Sequence, residues 1–216
     1  MKVIVLGGYR TGSTHAYWLT CKVLDAQGRR FRQKGCNAET LPAELARPGW
    51  AVLKSHELSP SVYQMSREAN IRIVFTKRNP YDVAGSLRRM KGQSDGKILA
   101  ELRRSMQLEL ELKTQIRVPW LILDYDTLYG HDEEKVTLIA EALGITLPER
   151  RIRGVATHCS IEAARRIASR LKDLPDPYTE LRHNHVGDSP EPGGYTLESG
   201  LRAAIEEELK RWPEFG

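Results

Sequence analysis

The sequence has few cysteines and no long apolar run. Its three cysteines, Cys21, Cys36 and Cys159, are scattered and form no Cys-x-x-Cys pair, which argues against a disulfide framework and against a structural zinc site. No stretch approaches the roughly 20 apolar residues that a membrane-spanning helix requires. After Met1 and Lys2, only four apolar residues precede Gly7 and Gly8, too few for the core of a signal peptide. These absences predict a cytoplasmic protein with no membrane partner.

The composition is that of an ordinary globular domain. The 216 residues are 40% apolar and 28% charged, and no repeat or linker divides them, so we expect one domain spanning residues 1–216. The net charge of +5 suits an anionic ligand. It does not distinguish a nucleotide from a nucleic acid or an acidic acceptor.

Short β-branched runs alternate with helical patterns along the chain. Apolar strands that alternate with helices predict an α/β fold with three layers, in which a mainly parallel central sheet carries helices on both faces. In such a sheet the functional loops follow the carboxyl ends of the strands. The predicted strands are Lys2–Leu6, Trp50–Lys54, Ile71–Thr76 and Trp120–Leu123, and the predicted helices are Thr14–Asp25, Pro60–Glu68, Tyr81–Met90, Gly96–Thr114, Glu133–Leu143, Ile161–Leu171 and Leu197–Arg211.

The segment from Gly7 to Thr14 follows a predicted strand and opens a predicted helix. This context is typical of a phosphate-binding loop, where backbone N–H groups and a helix N-terminus converge on phosphate oxygens. The spacing Gly7-x4-Gly12 matches the Walker A pattern, but Ser13 occupies the lysine position and a cation stands earlier, at Arg10. ATP or GTP hydrolysis depends on that lysine, so the loop predicts phosphate binding without nucleoside triphosphate hydrolysis.

Two further motifs follow predicted strands. Lys54-Ser55-His56 places a cation and a histidine at a strand end, where a histidine is suited to general base catalysis; the alternative is a histidine that caps the next helix. Arg78-Asn79-Pro80 forms a turn into a helix that carries Ser86. Arginine binds phosphate through two parallel hydrogen bonds, and a serine hydroxyl can add a neutral one.

Together these motifs resemble those of the PAPS-dependent sulfotransferases (PAPS is 3′-phosphoadenosine 5′-phosphosulfate). The loop Arg10-Thr11-Gly12-Ser13-Thr14 is similar to the family's 5′-phosphosulfate loop, and Arg78, Asn79, Pro80, Asp82 and Ser86 match its 3′-phosphate motif at every fixed position. Lys54-Ser55-His56 resembles the Lys-Thr-His of the cytosolic branch. The separation in sequence between His56 and Arg78 is also the one that this branch leads us to expect. The resemblance implies a fold like that of the P-loop nucleotide kinases and transfer of a sulfuryl group from PAPS.

By this resemblance, each motif receives a role. His56 would act as the general base, while Arg10 would stabilise charge on the bridging oxygen and Lys54 would lie beside the sulfuryl oxygens. No metal would be required. The residues expected to bind PAPS are Arg10, Thr11, Gly12, Ser13, Thr14, Arg78, Ser86, Tyr125, Arg182, His183 and Asn184.

The later matches are looser. Tyr125 follows the Trp120–Leu123 strand and is expected either near the nucleotide or packed against the loop. Arg182-His183-Asn184 resembles the loop that closes over the 3′-phosphate, although His183 and Asn184 replace lysine and glycine. A metal site formed by His183, His185 and Asp188 is the alternative. Ser160, in a segment that resembles an adenine-pocket motif, is expected to be the N-cap of the following helix.

Two other functions remain open from the sequence. One is a small-molecule kinase that uses magnesium-ATP, with Asp124 at a strand end as the magnesium ligand. The other is a non-catalytic polyanion-binding protein, although the basic residues form no stripe interleaved with aromatic residues, and no nucleic-acid partner is expected.

The acceptor is expected to be a hydroxyl or amine of a small molecule or carbohydrate. The sequence carries no signal for the oligomeric state. We expect acceptor selectivity in the loops Gln27–Arg47, Met90–Gly96 and Asp173–Tyr195. Because the first strand begins at the second residue, we expect an open acceptor site that admits a carbohydrate or a bulky natural product.

Overall fold

The computed structural model describes residues 1–68, 70–170 and 191–213, in which strands and helices alternate. The strands are β1 (Lys2–Gly7), β2 (Arg32–Gly35), β3 (Ala51–Ser55), β4 (Ile71–Lys77) and β5 (Trp120–Asp124). The helices are α1 (Ser13–Ala26), α2 (Leu41–Ala46), α3 (Pro60–Glu68), α4 (Pro80–Lys91), α5 (Asp95–Gln115), α6 (Asp132–Ala142), α7 (Glu149–His158), α8 (Ile161–Ala168) and α9 (Ser199–Lys210).

The five strands form one parallel sheet in the order β2-β3-β1-β4-β5. Successive residues of a strand point to opposite faces, so Val3 and Val5 of β1 pack with α1 and α6, whereas Ile4 and Leu6 pack with α3 and α5. Apolar groups therefore fill both faces of the sheet. The predicted three-layer α/β fold is confirmed.

A third cluster fixes the helix that follows β4. Val83 and Leu87 of α4 pack against Ile98 of α5 and against Leu201 and Ile205 of α9. All five side chains are almost fully buried. This packing sets the orientation of α4 and thereby the position of the polar residues on its opposite side.

The predicted loop Gln27–Arg47 is wrong, because it contains both β2 and α2. The carboxylate of Glu44 on α2 accepts hydrogen bonds from Arg32 and Lys34 of β2 and from Arg47, at 2.5, 3.0 and 3.1 Å. Lys34 first, and then Arg47, lower the pKa of Glu44 to about 2. The edge strand is therefore held to its neighbouring helix by charge rather than by apolar burial, which explains why its sequence lacks an apolar run.

One helix and one helix boundary also differ from expectation. Helix α7 was not predicted from the sequence, and α8 ends at Ala168 rather than at Leu171. Ser160 caps α8 as predicted, since its hydroxyl accepts a hydrogen bond from the Ala163 amide at 3.2 Å. Across the described ranges, none of the helices is long and apolar enough to cross a bilayer.

Two isoleucines on adjacent strands test this packing. Ile73 of β4 is 1% exposed, whereas Ile122 of β5 is 40% exposed. We expect Ile73→Ala to lower the free energy of unfolding by about 2–5 kcal/mol, because it leaves a cavity in the core. The matched change Ile122→Ala should cost less than about 1 kcal/mol. Urea denaturation measures both, and equal losses would contradict the described burial.

Candidate active site

The loop between β1 and α1 turns sharply through two residues with positive φ. Arg10 has φ 68° and Gly12 has φ 90°, a backbone conformation that residues other than glycine rarely adopt. A Cβ on Gly12 would also lie 2.8 Å from the ring of Tyr125. Only glycine therefore fits at position 12, and Ser13 and Thr14 begin the first turn of a 14-residue helix, where exposed amides favour an anion.

Thr11 holds this loop against β4. Its hydroxyl donates to the Gly8 carbonyl at 2.8 Å and lies 2.8 Å from the hydroxyl of Thr76. Thr11 is 2% exposed, and a Cβ on Gly7 would collide with the same Thr76 hydroxyl. The Thr11 side chain thus joins the loop to the sheet, so its hydroxyl stabilises the turn itself.

Arg78 and Ser86 come together beside the loop. Asn79 caps α4, its side chain accepting from the Tyr81 amide at 2.9 Å, and this turn directs Arg78 back toward the loop. Arg78 donates to the Arg10 carbonyl at 3.5 Å, and Arg10 Nε donates to the Ser86 hydroxyl at 2.9 Å. The three predicted ligands Arg10, Arg78 and Ser86 therefore form one cluster.

The guanidinium of Arg78 is buried without full hydrogen bonding. Its Nε and Nη2 atoms have no hydrogen-bond partner among the described residues, although its side chain is only 4% exposed. The nearest carboxylates, Asp126 and Asp82, lie 3.9 and 4.0 Å away. Asp82 accepts from the Gly193 amide and Asp126 Oδ2 from the Asn79 amide, while Asp126 Oδ1, on the side of Arg78, has no hydrogen-bond partner among the described residues. Buried polar groups normally find partners, so this pair of donors fits a bound anion.

Burial shifts the titration of the groups around Arg78. It lowers the pKa of Arg10, an effect that the neighbouring Arg78 increases. Burial also raises the pKa of Asp126 and of Tyr125. The Tyr125 ring lies 4.3 Å from the guanidinium carbon of Arg78. The buried Arg78 and the half-buried Arg10 lie together in this site, and an anion would relieve their mutual repulsion.

On the other side of the loop, His56 follows β3. Its Nδ1 donates to the Gly7 carbonyl at 2.7 Å, and because a carbonyl can only accept, Nδ1 must carry the hydrogen. In the neutral ring, Nε2 then has a lone pair, and it lies 3.4 Å from the Lys54 ammonium. This arrangement leaves Nε2 as the basic nitrogen of the ring.

A scan against models of protein families and a search of curated proteins found no match. Mouse sulfotransferase SULT7A1 complexed with PAP (the desulfated product of PAPS) has a TM-score of 0.66 at 17% identity, over 97% of this chain and 83% of that one. Retinol dehydratase in complex with androsterone and inactive cofactor PAP has a TM-score of 0.65 at 14% identity, over 97% and 80%.

The chain has a sulfotransferase fold. A second retinol dehydratase structure, with retinol and PAP, matches with a TM-score of 0.51 at 15% identity over 99% of this chain and 79% of that one. At such low identities the likeness concerns the backbone. What the site can bind and catalyse depends on the side chains of this chain.

The site contains residues that the sequence did not single out. Tyr9 is 36% exposed, and its ring stacks on His56 with centroids 4.3 Å apart and planes 25° apart. Tyr195 contacts α4 at Gly85. An isolated tyrosine carries no spacing signal, so these neighbours become visible only when the loop and helices are in place.

The remaining expectations concern Asp124 or residues outside the described ones. Asp124, the candidate magnesium ligand of the kinase alternative, accepts a hydrogen bond from the Asp126 amide at 3.0 Å. Within residues 1–68, 70–170 and 191–213, no three His, Cys, Asp or Glu side chains form a metal-binding group. Arg182, His183 and Asn184, and the alternative metal site of His183, His185 and Asp188, lie outside the described residues.

His56 offers a direct test of this geometry. We expect the neutral ring to carry its hydrogen on Nδ1, because that atom donates to the Gly7 carbonyl. Nitrogen-15 NMR distinguishes a protonated ring nitrogen from a pyridine-like one, and the signals that vanish in His56→Gln identify the residue. A neutral His56 protonated on Nε2 would contradict the hydrogen bond.

Proposed function

We propose that this protein transfers a sulfuryl group from PAPS to a hydroxyl or amine of a small-molecule or carbohydrate acceptor. The observation that carries the proposal is the buried guanidinium of Arg78, whose Nε and Nη2 have no hydrogen-bond partner among the described residues. It lies on one side of the phosphate loop, and the catalytic candidates lie on the other. A donor with phosphate groups at both ends of its nucleoside suits this arrangement.

The residues present fit PAPS. Arg78 and Ser86 would bind the 3′-phosphate, since both are buried and both contact Arg10. The amides from Arg10 to Thr14 and the hydroxyls of Ser13 and Thr14 would bind the 5′-phosphate at the start of α1. We assign Thr11 to this set through its amide, since its hydroxyl is engaged within the loop. Tyr125 would contact the nucleotide from beside Gly12 and Arg78.

PAPS would supply the sulfuryl group, and the chain's own residues would supply position and charge. The acceptor oxygen or nitrogen forms a bond to sulfur as the bond from sulfur to the 5′-phosphate oxygen breaks, and PAP leaves. His56 would take the acceptor's proton on Nε2, the ring nitrogen with the lone pair. Lys54, 3.4 Å from that nitrogen, would stabilise charge on the sulfuryl oxygens.

Arg10 would have a second task. In this structure its guanidinium bonds to Ser86, on the 3′-phosphate side. To stabilise charge on the bridging oxygen it would have to leave Ser86 and turn toward the loop. The Arg10 backbone belongs to the loop assigned to the 5′-phosphate and its carbonyl accepts from Arg78, so its long side chain would reach either phosphate.

Binding of PAP tests the donor assignment. We expect PAP to bind without added metal and more tightly than AMP, which lacks the 3′-phosphate. Arg78→Ala should weaken PAP binding by about 100-fold or more, because it removes a charged hydrogen-bonding partner. Isothermal titration calorimetry measures these affinities. The matched control is Arg72→Ala, because Arg72 lies at the start of β4 whereas Arg78 follows the end of that strand.

Two results would contradict the donor assignment. One is firm binding of magnesium-ATP with no binding of PAP, which would favour the kinase alternative. The other is equal loss of PAP affinity in Arg72→Ala and Arg78→Ala, which would mean that the effect is not local to the buried guanidinium.

The role of His56 has its own test. We expect His56→Gln to lower kcat for sulfuryl transfer by about 10²–10⁴-fold, the usual contribution of a general base, while the PAP dissociation constant stays unchanged. Transfer from PAPS labelled with sulfur-35 to a panel of phenols, amines and oligosaccharides measures the rate. Unchanged kcat in this variant would remove His56 from the mechanism.

A further inference from the structure

Two open grooves flank helix α7, and neither is lined by residues of the candidate active site. The first, of about 620 Å³, runs between α7 and α8. The second, of about 670 Å³, runs between α7 and the end of α1. They share Gly154 and His158, so together they form one surface, which we call the α7 grooves. Six cations line them: Lys22, Arg150, Arg151, Arg153, Arg166 and Arg170.

Helical spacing gathers these cations. Arg150, Arg153 and Thr157 recur at intervals of three and four residues and therefore share one face of α7. Arg166 on α8 and Arg170 just beyond its end are also four residues apart, one turn or about 6 Å along the axis. Arg153 of α7 thus faces the first groove together with Arg166 and Arg170, whereas Arg150 lines the second groove. The sequence shows these arginines only as scattered charges.

The positive charge of the α7 grooves is only partly balanced. Lys22 pairs with Asp25 at 3.1 Å, and Arg153 pairs with Glu149 at 3.5 Å. Within the described part of the chain, the ion pairs involve none of the other four arginines, which are all exposed. Burial and the nearby Lys22 lower the pKa of His158, in keeping with a positive surrounding. A surface of this kind attracts anions.

We propose that the α7 grooves bind an acidic carbohydrate chain, one that carries carboxylate or sulfate groups along its length. Arginine holds such planar or tetrahedral anions through paired hydrogen bonds. Among the described residues, no phenylalanine, tyrosine or tryptophan lines either groove, so bases of single-stranded nucleic acid would lack the usual stacking partners there. The surface is concave, whereas readout of a DNA duplex needs an element that protrudes into its groove.

A peptide partner fits less well. Arginine clusters also hold acidic peptides, but the described residues that line the α7 grooves offer neither a sheet edge nor a large aromatic anchor for the rest of a peptide. An acidic carbohydrate needs neither, because its anionic groups recur along a flexible chain. The proposal does not depend on the proposed function.

Binding of a labelled heparin octasaccharide tests this proposal. We expect saturable binding that weakens steadily with salt. The variant Arg166→Glu with Arg170→Glu should bind at least about tenfold more weakly, because it places like charges against the ligand. Its matched control is Arg202→Glu with Arg211→Glu, which makes the same change in net charge on α9, where Arg202 pairs with Glu206 and Arg211 with Glu208.

Further arms of the experiment distinguish binding in the α7 grooves from binding elsewhere on the protein. A polygalacturonate octamer, which carries only carboxylates, shows whether sulfate is needed. Arg78→Ala should leave octasaccharide binding unchanged, because the active-site cluster is not involved. The milder pair Arg166→Gln with Arg170→Gln replaces the charge reversal if thermal unfolding shows that the latter does not fold.

Three results would overturn the proposal. The first is equal loss of octasaccharide binding in the α8 variant and the α9 control, which would indicate a general effect of charge. The second is loss of binding in Arg78→Ala, which would place the anion in the active site. The third is tighter binding of a DNA duplex or a polyglutamate peptide in direct competition with the octasaccharide.

Discussion

The parallel pairing of β1 with β3 on one side and β4 on the other is the constraint on which this site depends. In this register Leu6 lies beside Ser55 and Gly7 beside Thr76. The strands therefore end at one level, and the residues that follow each of them meet at the same edge. His56, the phosphate loop and Arg78 come from separate parts of the sequence and need no further element to bring them together.

Charge is distributed unequally around that edge. Arg78 and Ser86 are buried beside the half-buried Arg10. Two carboxylates lie 3.9 and 4.0 Å from Arg78 without completing its hydrogen bonds, and a phosphate bound at its Nε and Nη2 would complete them. The Gly7 carbonyl fixes a hydrogen of the His56 ring on Nδ1. In the proposed mechanism, binding of the 3′-phosphate and proton transfer would therefore occupy opposite sides of one loop.

Much of the fold could be predicted because apolar strands and strand-end motifs leave local signals. Val3 to Leu6 and Ile71 to Phe75 are continuous apolar runs or nearly so, and each is followed by a motif with a fixed spacing. Strand β2 was missed because its residues are polar and are stabilised by Glu44, a contact across the fold. Helix α7 does not stand out in the sequence because most of its residues are charged or polar. Its few apolar residues, such as Val155 and Ala156, are recognisable as one face only where the helix packs. The stacking of Tyr9 on His56 likewise depends on tertiary contacts that no local pattern contains.

The central claim is that Arg78 and Ser86 form the 3′-phosphate site, and the most direct measurement is the crystal structure of the protein with PAP. The account predicts the 3′-phosphate within hydrogen-bonding distance of Arg78 Nε or Nη2 and of the Ser86 hydroxyl, with the 5′-phosphate at the start of α1. A PAP molecule bound elsewhere, or with its phosphates in the opposite order along the loop, would contradict it.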